Sequence, residues 1–325
     1  MLDPTTLFTY DKHIDSRTLT GETLLVTLDA FTDAGHAQEI IDEHLLGALG
    51  SRVIGRLDLD QVFDYGAHRP EITLERDRFL DYEKPEIVLH EITGPGGDPF
   101  YLLTGPEPTL EWERLAAALR IVVEQLGIRR IVLAQSFPAP VPHTRPLQIT
   151  TYADDPSHIR EPRPLPSTFR MRSSFTHLLT MRLGEAGHET VGLVAHVPQY
   201  LHEMGYPEAA IALLGAIETE SGLTLPVGAL APAARETRQL VDEQVAQAPQ
   251  LGELIANLER GYDGSLLAGA PGSQEGAPDA EMPSDEQISE EIERFLAELS
   301  GDEGTSAEPG DDEDGASEER PGPAL

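Results

Sequence analysis

Residues 24–49 read LLVTLDAFTDAGHAQEIIDEHLLGAL, and the two halves of this stretch have different periods. Leu24 to Phe31 is an apolar, β-favouring run of strand length. From Asp33 to Leu49 the apolar positions Ala37, Ile40, Ile41, Leu45 and Ala48 recur at helical spacing. Between them lies a short polar turn, Asp29 to His36. A buried strand feeding a helix through such a turn is the unit of an α/β fold. The carboxyl end of that strand is where open α/β sheets place ligands. Asp29 is therefore a candidate to touch a ligand. Asp33 suits the start of the helix, where its carboxylate accepts from unpaired backbone N–H groups and matches the helix dipole. His36, in the first turn, is either a ligand contact or a solvated side chain.

The alternation continues along the chain. Strands are expected at Arg52–Leu57, Glu86–Ile92 and Phe100–Thr104, the last two joined by the turn Thr93–Pro99. A helix is expected over Thr109–Leu126, with Thr109 as its cap and Gly127 as its stop. Arg130–Ala134 and Leu147–Tyr152 read as strands, Ser174–Ala186 as a helix and Thr190–His196 as a strand. Pro207–Ser221 is a helix ending at Gly222, and Ala233–Tyr262 is helical with a break near Pro249. Strands alternating with helices predict a mostly parallel sheet covered on both sides. The expected organisation is an α/β domain over 1–230, a helical extension over 231–263 and an acidic tail over 264–325.

That tail holds 18 acidic and 2 basic residues and contributes −16 to a net charge of −34. It has little to bury, so it is expected to be disordered. Within it SDEQISEEIERFLAEL (284–299) sets Ile288, Ile292, Phe295, Leu296 and Leu299 on one face, with Ser284 and Gln287 as a capping box. It either folds back on the body or docks on a partner. The large negative charge argues against nucleic acid and anionic membrane surfaces as partners. There is no cysteine, which excludes disulfides and thiolate chemistry. The first residues have no signal-peptide pattern, and no apolar run is long enough to span a membrane. A cytoplasmic protein is expected.

Familiar catalytic signatures are missing. No glycine-rich dinucleotide fingerprint, phosphate-binding loop, zinc helix or nucleophile elbow occurs. No cofactor or metal is expected. The most distinctive stretch is residues 135–146, QSFPAPVPHTRP. Its four prolines should stiffen a loop after a strand. His143, Thr144 and Arg145 together would suit an anion, or else would tie the loop to acidic neighbours or to another subunit. His196 ends the next strand, followed by Pro198. Spacing alone does not bring His143, His196 and Asp29 together. Trp112, the single tryptophan, is expected to pack over a loop.

LLTGPEPTLEWERLAAAL (102–119), FPAPVPHTRP (137–146) and LVAHVPQYL (193–201) resemble the actinobacterial branch of the proteasome-assembly-chaperone family. The resemblance spans roughly Leu24 to Tyr262. It implies a three-layer α/β/α fold of the phosphorylase/hydrolase kind, like purine nucleoside phosphorylases. It also implies self-association into trimers or rings and a link to proteasome subunits. Relatives that engage proteasome rings can end in hydrophobic-Tyr-X. This sequence ends Pro323-Ala324-Leu325, which makes 284–299 the better docking candidate. Two functions follow. The first is a non-enzymatic, chaperone-like homo-oligomer that binds proteins. The second is a small-molecule protein, for a nucleoside or phosphate ester, that uses Asp29, His143, Arg145 and His196.

Overall fold

The computed structural model describes residues 2–29, 32–163, 168 and 170–268. The helix expected over 284–299, with Ile288, Ile292, Phe295, Leu296 and Leu299, and the rest of the acidic tail lie outside the described residues.

Among the described residues, ten strands and six α-helices follow one another. The first three strands are β1 (Phe8–Tyr10), β2 (Thr23–Leu28) and β3 (Gly50–Leu57), with α1 (Ala37–Ala48) between the last two. Next come β4 (Thr73–Glu75), β5 (Arg78–Leu80), β6 (Val88–Thr93), β7 (Pro99–Gly105) and α2 (Trp112–Leu126). Then follow β8 (Arg130–Ala139), β9 (Ile149–Ala153), α3 (Phe175–Glu185), β10 (Glu189–Pro198) and α4 (Pro207–Ser221). The series closes with α5 (Leu230–Gln247) and α6 (Pro249–Ala268). Eight strands form one sheet in the order β1-β3-β6-β7-β2-β8-β10-β9, and β4 pairs only with β5. The four central strands β7, β2, β8 and β10 are parallel. β6, β3, β1 and β9 extend the sheet by antiparallel pairing, and β3 again runs with the centre.

Side-chain alternation divides the core in two. Leu24, Val26 and Leu28 of β2, with Leu103 of β7 and Leu133 of β8, face Leu115, Leu119 and Val122 of α2 and Phe175 and Leu179 of α3. Leu25, Leu102 and Val132 point the other way, toward Ile41 and Leu45 of α1 and Leu213 and Ile217 of α4. Because the central strands are buried on both faces, they read as continuous apolar runs. Each fully buried leucine or isoleucine contributes roughly 2 kcal/mol. Leu230 and Val241 bring α5 onto the α1/α4 side. The result is the expected three-layer sandwich with a mostly parallel mixed sheet and a helical C-terminal part.

Local details differ from the sequence expectation. Thr109 does not cap α2: its Oγ1 accepts from the Asp64 N–H at 2.6 Å, and α2 starts after Glu111 in the left-handed region. β8 does not stop at Ala134 but runs to Ala139, so Pro138 lies within the sheet opposite Val197. The strand–helix unit of the quoted stretch is interrupted by a short 3-10 turn, Ala34–His36, in which Gly35 and His36 both have positive φ. Gly35 is needed there. Its φ is 69°, and a Cβ would lie 2.8 Å from the Tyr206 Cβ.

Candidate functional site

β2 and β7 are adjacent and parallel, yet their following helices leave to opposite faces, α1 to one and α2 to the other. Such a divergence opens a crevice at the strand carboxyl ends, the usual ligand position in α/β sheets. Asp29, one residue past β2, lies at this point, and its N–H donates to the Gly105 carbonyl at 3.0 Å. Its carboxylate accepts no hydrogen bond from the described residues. Although exposed by area, the group is walled by protein. Loss of water and then the carboxylates of Asp33, Glu39 and Glu107 push its pKa up to about 7.

The neighbouring acidic groups have local tasks. Both Asp33 oxygens accept from the Gln38 N–H, at 2.9 and 3.1 Å. Its Oδ2 also accepts from the Glu39 N–H at 3.1 Å, and the Ser136 hydroxyl of β8 donates to Oδ1 at 3.0 Å. Asp33 thus ties the start of α1 to the end of β8. Burial raises its pKa against these bonds. Glu107 accepts from the Phe175 N–H at 2.6 Å, which anchors the start of α3 beside the crevice. Asp42, one turn beyond Gln38, accepts from the hydroxyls of Thr27 (2.5 Å) and Thr104. Desolvation pushes its pKa up to about 8 despite those bonds. A polar residue within the apolar stripe of α1 was the only sequence sign of Asp42. Glu107 gave none.

His36 stands at the rim. Its Nδ1 pairs with Glu39 at 3.0 Å and its Nε2 contacts the Glu203 carbonyl at 3.2 Å. Desolvation disfavours its charge, but these partners outweigh it and raise the pKa. The backbone of Gly35 is paired on both sides, donating to His202 O (2.7 Å) and accepting from the Tyr206 N–H (2.8 Å).

The PHTRP segment is engaged elsewhere. Buried His143 contacts the Tyr200 hydroxyl through Nδ1 at 2.7 Å and Asp242 of α5 through Nε2 at 3.1 Å, while Arg238 donates to its carbonyl at 2.9 Å. Thr144 donates to Glu259 of α6. Arg145 grips Asp263 with two bonds, at 2.9 and 2.8 Å, and reaches Glu259 at 3.0 Å. All three guanidinium nitrogens therefore meet carboxylates. The geometry is a clasp that holds α5 and α6 to the body.

His196 lies on the other face of the sheet. It alternates with Ala195 and Val197, which belong to the α1/α4 core. Its ring meets the Thr150 hydroxyl at 2.8 Å and packs edge-on against Phe137. Desolvation lowers its pKa to about 4. The structure thus does not gather Asp29, His143 and His196 into one pocket. Trp112 donates to the Pro108 carbonyl at 2.5 Å and packs against Phe175, over the loop that carries Glu107.

One surface was not singled out by sequence. Every residue of β4 and β5 is exposed, and Ile72, Leu74, Phe79 and Tyr82 are between 48% and 66% accessible. The alternation in ITLERDRFL was a legible hairpin signal, but nothing in it told which side would be covered.

Among the described residues no group of three or more histidine, aspartate or glutamate side chains is arranged to hold a metal ion, and no helix is long and apolar enough to cross a membrane.

Residues 27–245 match the PAC2 family. A Mycobacterium tuberculosis protein of unknown function is similar at 35% identity, covering 81% of this chain and 90% of its own, with a TM-score of 0.76. A Corynebacterium glutamicum protein of unknown function is 28% identical over 81% of this chain and 99% of its own, also with a TM-score of 0.76. A second M. tuberculosis protein, a proteasome-assembly chaperone homologue, shares the fold at 24% identity. It covers 72% of this chain and 99% of its own, with a TM-score of 0.66. No curated protein matches the chain significantly.

Proposed function

The chain belongs to the PAC2 family, and on that premise we propose that it is a chaperone-like protein that binds other polypeptides. In this reading it also associates with copies of itself and serves proteasome assembly or regulation. The observation that carries the proposal is the β4–β5 hairpin, which presents Ile72, Leu74, Phe79 and Tyr82 to solvent. A lone two-stranded hairpin is marginal in water, and contiguous exposed apolar side chains mark contact surfaces. The same segment suits self-association. Arg69, Arg76, Arg78 and Lys84 nearly balance the acidic residues of 69–84, so this segment adds little to the repulsion between copies of a −34 chain. The partner class comes from the M. tuberculosis relative described as a proteasome-assembly chaperone homologue.

A phosphate-ester role finds less support. The crevice is walled by carboxylates, and Arg145 is held by Glu259 and Asp263.

The test is co-purification. Full-length protein used as bait is expected to retain actinobacterial proteasome α or β subunits. The Leu74→Ser/Phe79→Ser variant, altered only at exposed positions, is expected to retain much less. No enrichment over a mock bait, with the bait folded, sinks the proposal.

A further inference from the structure

β9 is the last strand of the eight-stranded sheet. β10 pairs with one of its sides, and among the described residues no strand pairs with the other. The window 147–153, LQITTYA, carries no charge, proline or glycine and is rich in β-branched and aromatic residues. Such a run at a sheet edge is a template for pairing with another chain. Repulsion between copies of a −34 chain opposes contact elsewhere, but this window adds nothing to it.

Residues 160–163, Arg-Glu-Pro-Arg, lie along that open side. The Thr151 N–H donates to the Arg163 carbonyl at 3.2 Å, and the Arg163 N–H donates to the Thr151 hydroxyl oxygen at 2.8 Å. All four residues of this strap are exposed, so burial does not hold them. Glu220 of α4, itself 1% exposed, does. Its carboxylate accepts from the Arg160 N–H at 2.9 Å and the Glu161 N–H at 3.0 Å. Arg130, at the start of β8, donates to the same carboxylate at 3.0 Å and fixes it in place. Charge-assisted bonds to a carboxylate are the stronger class of hydrogen bond. The strap also ends the ladder, because it is charged and Pro162 has no N–H to offer a further strand.

We propose that residues 160–163 guard the edge of β9, that Glu220 is the latch of this strap, and that the edge it covers pairs with β9 of a second copy once the latch is released. A second copy fits because the two uncharged windows are identical in length and meet antiparallel across a two-fold axis. This inference stands apart from the hairpin and uses other residues.

The experiment places Glu220→Gln in the full chain carrying Leu74→Ser/Phe79→Ser, and every comparison is with that background. A failure of the hairpin reading then alters the starting mass but not the ratio. Hydrogen exchange at the Thr151 N–H, at ~1 μM protein, should quicken about tenfold. At ~100 μM the mass by light scattering should rise about twofold. Adding Thr151→Pro should restore the background mass, because proline donates no N–H to an arriving strand. Thr151→Val removes only the oxygen that receives the Arg163 N–H. It should move exchange and mass in the same direction by less, and it carries the test if Glu220→Gln does not fold. Unchanged exchange at Thr151 overturns the latch. Faster exchange with an unchanged mass overturns the docking edge, and a doubled mass that survives Thr151→Pro places the contact elsewhere; each result refutes the proposal.

Discussion

Asp42 carries the clearest consequence of enclosing one carboxyl group. Its folded pKa of about 8 lies above the value of 3.8 it has when free. The folded protein therefore holds a proton that the unfolded chain has released between those values, and stability falls as pH rises from about 4 to about 8. Asp29, at about 7, adds the same sign. Asp42→Asn keeps a neutral group beside Thr27 and Thr104, so urea midpoints of this variant should change less between pH 5 and pH 8 than those of the parent. A second residue-scale outcome concerns Gly35. Alanine there meets both a φ of 69° and the Tyr206 Cβ, so Gly35→Ala should lower stability by about 2 kcal/mol or more in urea titrations. At this scale the sequence was readable where a residue acts on its own backbone neighbours. Asp33 suited a helix start, and it accepts from N–H groups of α1. It was unreadable where partners come from afar. The bond from Ser136 to Asp33 spans 103 positions, and that from Arg145 to Asp263 spans 118.

Elements were legible in proportion to their periodicity. α4 begins at Pro207 and ends before Gly222 as the spacing predicts, and the break at Pro249 separates α5 from α6. β1 escaped because three residues at a sheet edge carry no period. The start of α2 was misplaced because Thr109, an apt cap by type, is taken by Asp64. The role of the PHTRP loop depends on which helix arrives opposite it, which no local pattern encodes. Here that helix is α6, and the contact is ionic and partly exposed. Arg145→Ala should therefore speed amide hydrogen exchange across α6 while the protection of β2, β7 and β8 stays unchanged. Raised salt should shift the parent in the same direction. Unaltered exchange in α6 would mean that Leu251, Ile255 and the bonds from Thr144 to Glu259 and from Tyr262 to the Pro146 carbonyl hold it without Arg145.

For the whole molecule, the alternation of strand and helix, together with apolar runs in the central strands, was enough to predict a sheet covered on both faces. The family resemblance of three short segments agreed with the match over residues 27–245. Neither source could foresee that one hairpin would stand outside both cores, because exposure is settled by what the rest of the chain leaves uncovered. The account depends on that hairpin being a contact surface for protein. The most direct measurement is the mass in solution by light scattering at micromolar concentration. The parent chain should give a multiple of 35.4 kDa, and Leu74→Ser/Phe79→Ser should move the mass toward a single chain with unchanged circular dichroism. A mass of one chain for the parent, or an assembly indifferent to both substitutions, would contradict the account.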